Sequence, residues 1–301
     1  MIDITHKYRQ LRSATAGGKI ITSAEVIRRI QDNNLPKGDL FEVARTAALL
    51  GAKNTDRLLP HCHPIPLEFL EIDFTMTDNE IHISATGKTI ARTGLEMEVL
   101  TAVSIAALSI YDMLKPIDKN LTITDLSLTN KTGGKSSVKK SFPEVISRVI
   151  VVSDSTSSGK REDLSGAAIS KKLQDFDLQI QPLRIIPDSA EQIDRELESA
   201  VNENIDLLVF TGGTGVGSRD ITTEIIEPRL QKRLPGVEEA MRSFGQERNA
   251  KAMLSRSLAG ICGQTLVLCL PGSLKGSIES MDAVLPHIFH ALEIIDGQGH
   301  T

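Results

Sequence analysis

Residues 206–220 have the sequence DLLVFTGGTGVGSRD, in which an apolar run is followed at once by four glycines. A short, uninterrupted apolar run is typical of a strand that is buried on both faces of a sheet. Such strands occur mainly in parallel sheets, where helices cover both faces. The glycines predict a tight loop at the carboxyl end of this strand.

The sequence around this stretch alternates between strand-like and helix-like segments. We predict strands over residues 148–153, 178–186, 206–211 and 264–270, and helices over residues 166–176 and 190–202. This alternation favours a mainly parallel sheet with helices on both faces, which is a three-layer α/β domain.

The first half of the chain has a different order of elements, which indicates an α+β domain. We predict a helix over residues 40–52, a hairpin of residues 67–74 with 81–83, a helix over residues 99–114 and a strand over residues 121–128. Asp39 is a good N-cap for the first helix, and Pro116 ends the second.

A polar, basic segment with glycine and proline, residues 131–143, predicts a loop that continues into a linker. We place the boundary near residue 144, which gives domains 1–143 and 144–301. A length of 301 residues also favours two domains.

Composition limits the possible partners and compartments. The net charge of −5 gives no general attraction to nucleic acid, so small anions are favoured instead. No apolar stretch approaches the roughly 20 residues that span a bilayer, and the N-terminus does not resemble a secretion signal. Three cysteines without a framework spacing suit a reducing compartment. We therefore expect a cytoplasmic protein with no membrane or nucleic-acid partner.

Three glycine-bearing loops after predicted strands form the first candidate site. In an open α/β sheet, ligands bind at the carboxyl ends of the strands. Backbone N–H groups of glycine turns can surround an anion, and an ordinary turn is the alternative interpretation. The candidate binding residues are Asp154, Ser155, Gly212, Gly213, Thr214, Gly215, Pro271, Gly272 and Ser273.

Two carboxylates are expected at the same edge of the sheet. Asp220 follows the glycines directly, and Asp188 follows the predicted strand over residues 178–186. A carboxylate repels a bound phosphate unless a cation bridges them, so both are candidate Mg²⁺ ligands. For Asp188, a helix N-cap is an equally good interpretation. No Gly-Lys-Ser/Thr follows the glycines, so the stretch is not a P-loop.

In the first half, candidate residues are dispersed along the chain. His61-Cys62-His63 lacks the spaced partners of a zinc site. His63 either carries a proton or donates a hydrogen bond to a phosphate, or it is a structural histidine at the start of a strand. Asp112 and Lys115 are neighbours on the last turn of an apolar helix. Their place at the edge of a core suits acid/base work, and an ordinary surface ion pair is the alternative.

Two glutamates and two lysines complete this group of candidates. Glu96 and Glu98 share a face only if their segment is extended, which would start the following helix near Val99. Lys37 and Lys131 lie on glycine-flanked loops, where they would offer cations to a triphosphate.

The C-terminal half resembles the MoaB/MogA family, the molybdopterin-binding domain of molybdenum cofactor biosynthesis, over about residues 146–298. The resemblance lies in Ser153-Asp154-Ser155, Pro187-Asp188, Thr211-Gly212-Gly213-Thr214-Gly215, Arg219-Asp220, Ser255-Arg256 and Leu270-Pro271-Gly272-Ser273. It implies an α/β fold that binds molybdopterin and, in active members, transfers AMP from Mg·ATP to the phosphate of the pterin. Leu274 stands where the family commonly has proline.

The N-terminal half resembles MoaC, the cyclic pyranopterin monophosphate synthase. The resemblance lies in residues 1–4 and 37–41, Cys62-His63-Pro64, Thr93-Gly94-Leu95-Glu96-Met97-Glu98, Tyr111-Asp112-Met113 and residues 131–136. It implies a ferredoxin-like α+β domain that converts 3′,8-cyclo-7,8-dihydro-GTP into cyclic pyranopterin monophosphate with release of pyrophosphate.

The MoaC resemblance also implies residue roles. Asp112 would be the general acid/base with Lys115 beside it, while Lys37 and Lys131 would hold phosphates or assist proton transfer. The residues that would line the substrate are His61, Cys62, His63, Glu96, Met97 and Glu98. His61 stands where the family usually has leucine.

Together the two resemblances imply a bifunctional molybdenum cofactor biosynthesis protein with pterin and nucleotide substrates. Both families contain threefold symmetry, so we expect a homo-oligomer, either a trimer or a hexamer. The C-terminal half has a non-catalytic pterin carrier or a trimerisation module as its alternative. The N-terminal half has a nucleotide-binding regulatory module as its alternative.

Overall fold

The computed structural model describes residues 1–36, 38–134, 141–160, 162–295 and 297. The chain divides into two compact units, Met1–Ser137 and Val138–Thr301. This division falls a few residues before the predicted boundary near residue 144. Phe142 precedes the predicted boundary but belongs to the second unit. Its side chain is 4% exposed and packs on Phe289, with ring centroids 4.4 Å apart. Residues 135–140 of the predicted linker lie outside the described residues.

The first unit is an antiparallel sheet covered by helices. Its elements are β1 (Gln10–Ile21), α1 (Ala24–Gln31), α2 (Leu40–Lys53), the single turn α3 (Thr55–Leu58), β2 (Phe69–Met76), β3 (Glu80–Ala91), α4 (Glu96–Leu114) and β4 (Thr122–Thr132). The strands lie in the order β2-β3-β1-β4, and every neighbouring pair is antiparallel. The predicted hairpin, helices and last strand are confirmed, whereas β1 and α1 were not predicted.

Local sequence explains where α2 and α4 begin. The Asp39 carboxylate caps α2 by accepting hydrogen bonds from the N–H groups of Phe41 and Glu42, as predicted. Helix α4 begins at Glu96, so the prediction of an extended segment before Val99 is wrong. Both α4 glutamates lie in its first turn, where acidic side chains interact favourably with the helix dipole.

Helix α4 is the core helix of the first unit. Small side chains on α4 and β1 let the two elements approach closely, and a Cβ on Gly18 would lie 2.8 Å from the Val103 side chain. By length and composition α4 could cross a membrane, but half of its apolar window is buried in this core. A buried core helix of this kind does not indicate a membrane protein.

The second unit alternates strands and helices. Its elements are β5 (Ile146–Val152), the single turn α5 (Asp154–Ser157), α6 (Ser165–Gln174), β6 (Gln179–Ile180), β7 (Arg184–Ile186), α7 (Ala190–Asn202), β8 (Leu207–Thr211), α8 (Thr222–Ile226), β9 (Lys232–Arg233), α9 (Pro235–Gln246), β10 (Leu258–Cys262), β11 (Thr265–Leu270), α10 (Leu274–Val284) and α11 (Phe289–Ile295). The strand predicted over residues 178–186 is divided into β6 and β7, with Pro182 between them. Proline has no N–H to donate to a neighbouring strand.

The sheet of the second unit has the order β6-β5-β8-β11-β10-β9, with β7 also paired to β5. Pairs among β5, β6, β7, β8 and β11 are parallel, and β9 and β10 form an antiparallel edge. All five residues of β8 are buried. Leu207 and Val209 join the core on the side of α6, α9, α10 and α11. Leu208 and Phe210 join the core on the side of α7 and α8, so the predicted three-layer domain is confirmed.

Candidate functional site

Three loops meet at the carboxyl edge of β5, β8 and β11. The Gly212 N–H donates to the Leu270 carbonyl (3.1 Å), and the Thr211 hydroxyl donates to the Pro271 carbonyl (2.9 Å). Gly212 has φ +108°, and a Cβ there would lie 2.1 Å from the Val152 carbonyl oxygen. Only glycine fits such a position, because a Cβ would overlap the Val152 carbonyl oxygen. The missing side chain of Gly212 therefore lets the loops after β5 and β8 approach each other closely.

Asp154 and Asp188 hold the first of these loops in place. Asp188 Oδ2 accepts a hydrogen bond from the Asp154 N–H (2.9 Å), and Asp154 Oδ1 accepts one from the Asp188 N–H (3.1 Å). Arg219 forms an ion pair with the other oxygen of Asp154. The N-cap of α7 is Ser189, so the interpretation of Asp188 as a helix cap is wrong.

Asp188 and Asp220 both line a cavity of about 220 Å³ beside the glycine turns. Asp220 Oδ2 accepts a hydrogen bond from the Gly217 N–H (2.9 Å). Burial, and next the charge of Asp220, raise the pKa of Asp188. A carboxyl group whose ionisation is opposed by burial and by a neighbouring carboxylate suits a divalent cation. In the described part of the chain no three His, Cys, Asp or Glu side chains group as metal ligands.

The other predicted residues of this edge are distributed over two cavities. Gly212, Gly213 and Gly272 line the 220 Å³ cavity together with Ser153 and Thr156. Neither cavity described here includes Asp154 or Ser155 in its lining. Gly213, Thr214, Gly215, Pro271, Gly272 and Ser273 line the adjoining cavity.

The adjoining cavity, which we call the α9–α10 pocket, has a volume of about 420 Å³. It shares Gly213, Asp220 and Gly272 with the first cavity. Its cationic residues were not predicted from the sequence, and they are Arg242, Lys251 and Lys275. They lie on or beside helices whose position at this edge depends on the packing of the whole domain. Of the three, Lys251 lies in the basic and polar segment 248–256, which was a usable sequence signal.

In the first unit, the predicted residues do not form one group. Glu96 and Glu98 lie in the first turn of α4, and Asp112 lies in the last. At about 1.5 Å per helical residue, Glu96 and Asp112 are about 24 Å apart along the axis. Lys131 Nζ is 3.5 Å from Glu96 Oε1. Asp112 and Lys131, to which the MoaC resemblance assigns roles in one reaction, therefore do not lie together within one chain.

Lys131 belongs to a small basic pocket of about 180 Å³, whose other charged residues in the described part of the chain are Lys7, Arg12 and Glu96. Burial lowers the pKa of Arg12, and the charge of Glu96 opposes that effect. Three cations against one carboxylate suit a phosphate ligand. Lys7 and Arg12 were missed, although the basic stretch at residues 6–12 was a usable signal.

Glu98 is a buried carboxyl group, with a residue exposure of 6%. Burial above all, with the charges of Glu96 and Asp56, raises the pKa of Glu98 to about 7. Burial, and then the charges of Glu98 and Asp56, raise the pKa of Cys62. A carboxyl group with a pKa near neutrality can both donate and accept a proton.

The remaining candidates of the first unit have simpler environments. His63 Nε2 lies 2.9 Å from the Ile2 carbonyl oxygen. His61 is exposed, and Met97 is 41% exposed. Lys37 lies outside the described residues.

Asp112 and Lys115 form an exposed ion pair, with Lys115 Nζ 2.5 Å from Asp112 Oδ1. Both side chains are more than half exposed, so the expectation of a carboxylate at the edge of the core is wrong. Asp112 raises the pKa of Lys115. An exposed pair of this kind contributes little to stability.

The two folds and their sites define a two-domain protein in which each domain has a pocket suited to small phosphate-bearing ligands. The MoaC family model matches residues 1–134, and the model of the probable molybdopterin binding domain matches residues 148–290. A molybdenum cofactor biosynthesis bifunctional protein of Chlorobaculum tepidum is 40% identical over 301 residues, which cover 100% of this chain and 96% of that protein. The chain belongs to this family of bifunctional molybdenum cofactor biosynthesis proteins.

Each half also has relatives of its own. The cyclic pyranopterin monophosphate synthase of Streptomyces avermitilis is 44% identical over 136 residues, which cover 45% of this chain and 80% of that protein. A crystal structure of the molybdopterin biosynthesis enzyme MoaB from Thermus thermophilus is 37% identical, with a TM-score of 0.49. That match covers 51% of this chain and 97% of the other.

Proposed function

We propose that the first unit converts 3′,8-cyclo-7,8-dihydro-GTP into cyclic pyranopterin monophosphate and pyrophosphate. The basic pocket carries this proposal, because Lys7, Arg12 and Lys131 give a triphosphate three cations. The identity to cyclic pyranopterin monophosphate synthases supports it. We also assign this unit to the ferredoxin-like class. The strand order β4-β1-β3-β2 supports this, as does a β-α-β-β-α-β succession in which α1, α2 and α3 together fill the first helical position.

Proton transfer in the first unit would use groups at both ends of α4. Glu98 is buried beside Cys62 and has a pKa near neutrality, so it suits a proton carrier at one end. Asp112, paired with Lys115, is the proposed general acid/base at the other end. Because about 24 Å separate the two ends, the complete site would take Asp112 from one copy and Lys131 from another. This requires a homo-oligomer, and we propose a trimer or a hexamer.

Mixing two inactive variants tests this arrangement. Asp112→Ala and Lys131→Ala should each abolish pyrophosphate release, while the exposed-turn control Asp78→Ala keeps wild-type turnover. If each site is shared by two copies, mixed oligomers restore both residues in about a quarter of the sites. No recovery after the subunits are mixed would contradict a shared site, and full activity of Asp112→Ala would contradict its role in proton transfer.

We propose that the second unit binds molybdopterin and adenylylates it with Mg·ATP. The observation that carries this proposal is the position of Asp188 and Asp220 on one cavity that Gly212, Gly213 and Gly272 also line. The turns would hold phosphate oxygens through backbone N–H groups. Magnesium bound by the two carboxylates would neutralise the triphosphate.

The proposed adenylyl transfer mainly requires the chain to position the molybdopterin phosphate and ATP. An oxygen of the molybdopterin phosphate attacks the α-phosphorus of ATP, and the bond from that phosphorus to the bridging oxygen breaks. Pyrophosphate leaves with the bonding electron pair. The attacking phosphate is already ionised at neutral pH, so no general base is needed. Arg256 supports the glycine loop, because its guanidinium donates to the carbonyl groups of Gly215 (2.7 Å) and Asp220 (2.6 Å).

The test is pyrophosphate release from the full chain with molybdopterin and Mg·ATP. Asp220→Asn should lower the rate at least about a hundredfold, since a metal-ligating charge is lost. The exposed carboxylate variant Asp175→Asn should keep the wild-type rate. Tight molybdopterin binding by the wild type without pyrophosphate release would reject adenylylation in favour of a carrier.

A further inference from the structure

The α9–α10 pocket has one wall suited to a flat ring. Met241, Ala252 and Leu254 give it apolar surface, and Gly245 packs closely against Ala252. The pocket volume of about 420 Å³ lies within the usual range for small-molecule sites. The pocket also opens on the glycine turns through Gly213, so a ring held there can extend its phosphate towards them.

Glu279 on α10 is a carboxylate in this pocket. Among the described lining residues Asp220 is the other acid, and it lies where the two cavities join. The Glu279 side chain is 14% exposed. Its nearest cation in the described residues is Lys275, whose Nζ is 3.9 Å from Oε1, beyond hydrogen-bond distance. The carboxylate is thus mostly desolvated and retains its acceptor capacity for a ligand.

A pterin has the complementary edge. Its 2-amino group and N3–H are adjacent donors that point in the same direction, and a carboxylate accepts both in a bidentate pair. Adenine has no such pair, because its 6-amino donor is beside an N1 acceptor. A buried carboxylate facing adenine would therefore meet a lone pair instead of a donor.

We propose that Glu279 is the specificity-determining residue of the second unit, where it accepts hydrogen bonds from the N3–H and 2-amino group of the pterin. This inference rests on the proposed function and adds the assignment of one ligand to each of the two cavities. The pterin occupies the α9–α10 pocket, and the nucleotide occupies the cavity of Asp188. The shared glycine turns lie between them, where the two phosphates react.

Two fluorescent ring systems test the inference with the full chain. The probes are 6-hydroxymethylpterin and 6-hydroxymethyllumazine, which has a 2-oxo acceptor in place of the 2-amino donor. The wild type should bind the pterin about tenfold to a hundredfold more tightly. The side chain in Glu279→Gln offers one acceptor and one donor. This variant should therefore lose the tighter binding of the pterin and bind the lumazine more tightly instead. The exposed carboxylate variant Glu239→Gln should bind both rings as the wild type does.

A reversed preference is specific to direct contact, since a purely structural residue would weaken both ligands alike. Equal binding of the two rings by the wild type, no binding of either, or an unchanged preference in Glu279→Gln would overturn the inference. Adenylyl transfer is measured in parallel with molybdopterin and Mg·ATP. Wild-type transfer with an unaltered KM for molybdopterin in Glu279→Gln would overturn the role of Glu279 and leave the proposed function intact. Absence of transfer in the wild type would reject adenylylation, while the ring preference is decided by binding alone.

Discussion

Replacing Glu98 by glutamine should make the first unit more stable at alkaline pH. Glu98 is 6% exposed and its pKa is raised to about 7 from an ordinary value of 4.5. Below pH 4.5 the carboxyl is neutral in both the folded and the unfolded chain, so burial has no ionisation cost. As the pH rises through 7, the folded state must accept a buried charge and loses stability.

The size of this loss follows from the shift of about 2.5 pH units. At 1.36 kcal/mol per unit, it corresponds to about 3 kcal/mol of unfolding free energy. Asp56 and Glu96 add to the cost because their charges repel an ionised Glu98. Glu98→Gln keeps the shape of the side chain and cannot ionise. Its stability should therefore match the wild type near pH 4.5 and exceed it by about 3 kcal/mol at pH 8.

Urea unfolding at a series of pH values measures this difference. The chain has no tryptophan and two tyrosines, Tyr8 and Tyr111, both in the first unit. Tyrosine fluorescence therefore follows the unfolding of this unit. The exposed strand variant Glu71→Gln serves as a control and should keep the pH dependence of the wild type. If the unfolding free energies of Glu98→Gln and the wild type change in parallel from pH 4.5 to 8, the raised pKa of a buried Glu98 carboxyl is refuted.

Two further predictions concern the second unit, and circular dichroism during denaturation measures both. Gly212→Ala should lower stability by more than about 2 kcal/mol, because its φ is +108° and the new Cβ would lie 2.1 Å from a carbonyl oxygen of β5. Gly236→Ala, in open space at the start of α9, should stay within about 1 kcal/mol of the wild type, and equal losses in both would contradict the backbone argument. Glu203→Ala should cost about 2 kcal/mol, because the fully buried Arg148 loses its carboxylate partner. The exposed Glu198→Ala on α7, the helix for which Glu203 is the C-cap, should cost less than about 0.5 kcal/mol, and a similar value for Glu203→Ala would show that water replaces the carboxylate.

Sequence reasoning succeeded where the signal is local. The apolar run before Gly212 predicted a strand buried on both faces, and all five residues of β8 are buried. Asp39 was recognised as an N-cap because the cap and its N–H partners are within three residues. The meeting of three loops was also predictable, because the carboxyl ends of adjacent parallel strands share one edge.

Prediction from the sequence failed where several local structures fit the same residues. The segment from Glu96 to Glu98 has helix-forming residues, but its lack of a capping side chain hid the start of α4. The strand β9 consists of two basic residues, and β10 is a five-residue apolar run interrupted by Gly260; both pair at the antiparallel edge of the sheet. Their two to five residues carry too little information for a periodicity argument.

The sequence by itself determined the two-domain organisation, the buried strands β5, β8 and β11 along the chain, and the glycine loop that follows β8. These properties follow from burial patterns and backbone conformations encoded by adjacent residues. Only the tertiary structure decided that Glu98 is a near-neutral acid, that Glu279 lies in a pocket, and that Asp112 and Lys131 lie at opposite ends of α4. Proton affinity and proximity depend on groups that are distant in the chain, and the packing of whole elements brings those groups together or keeps them apart.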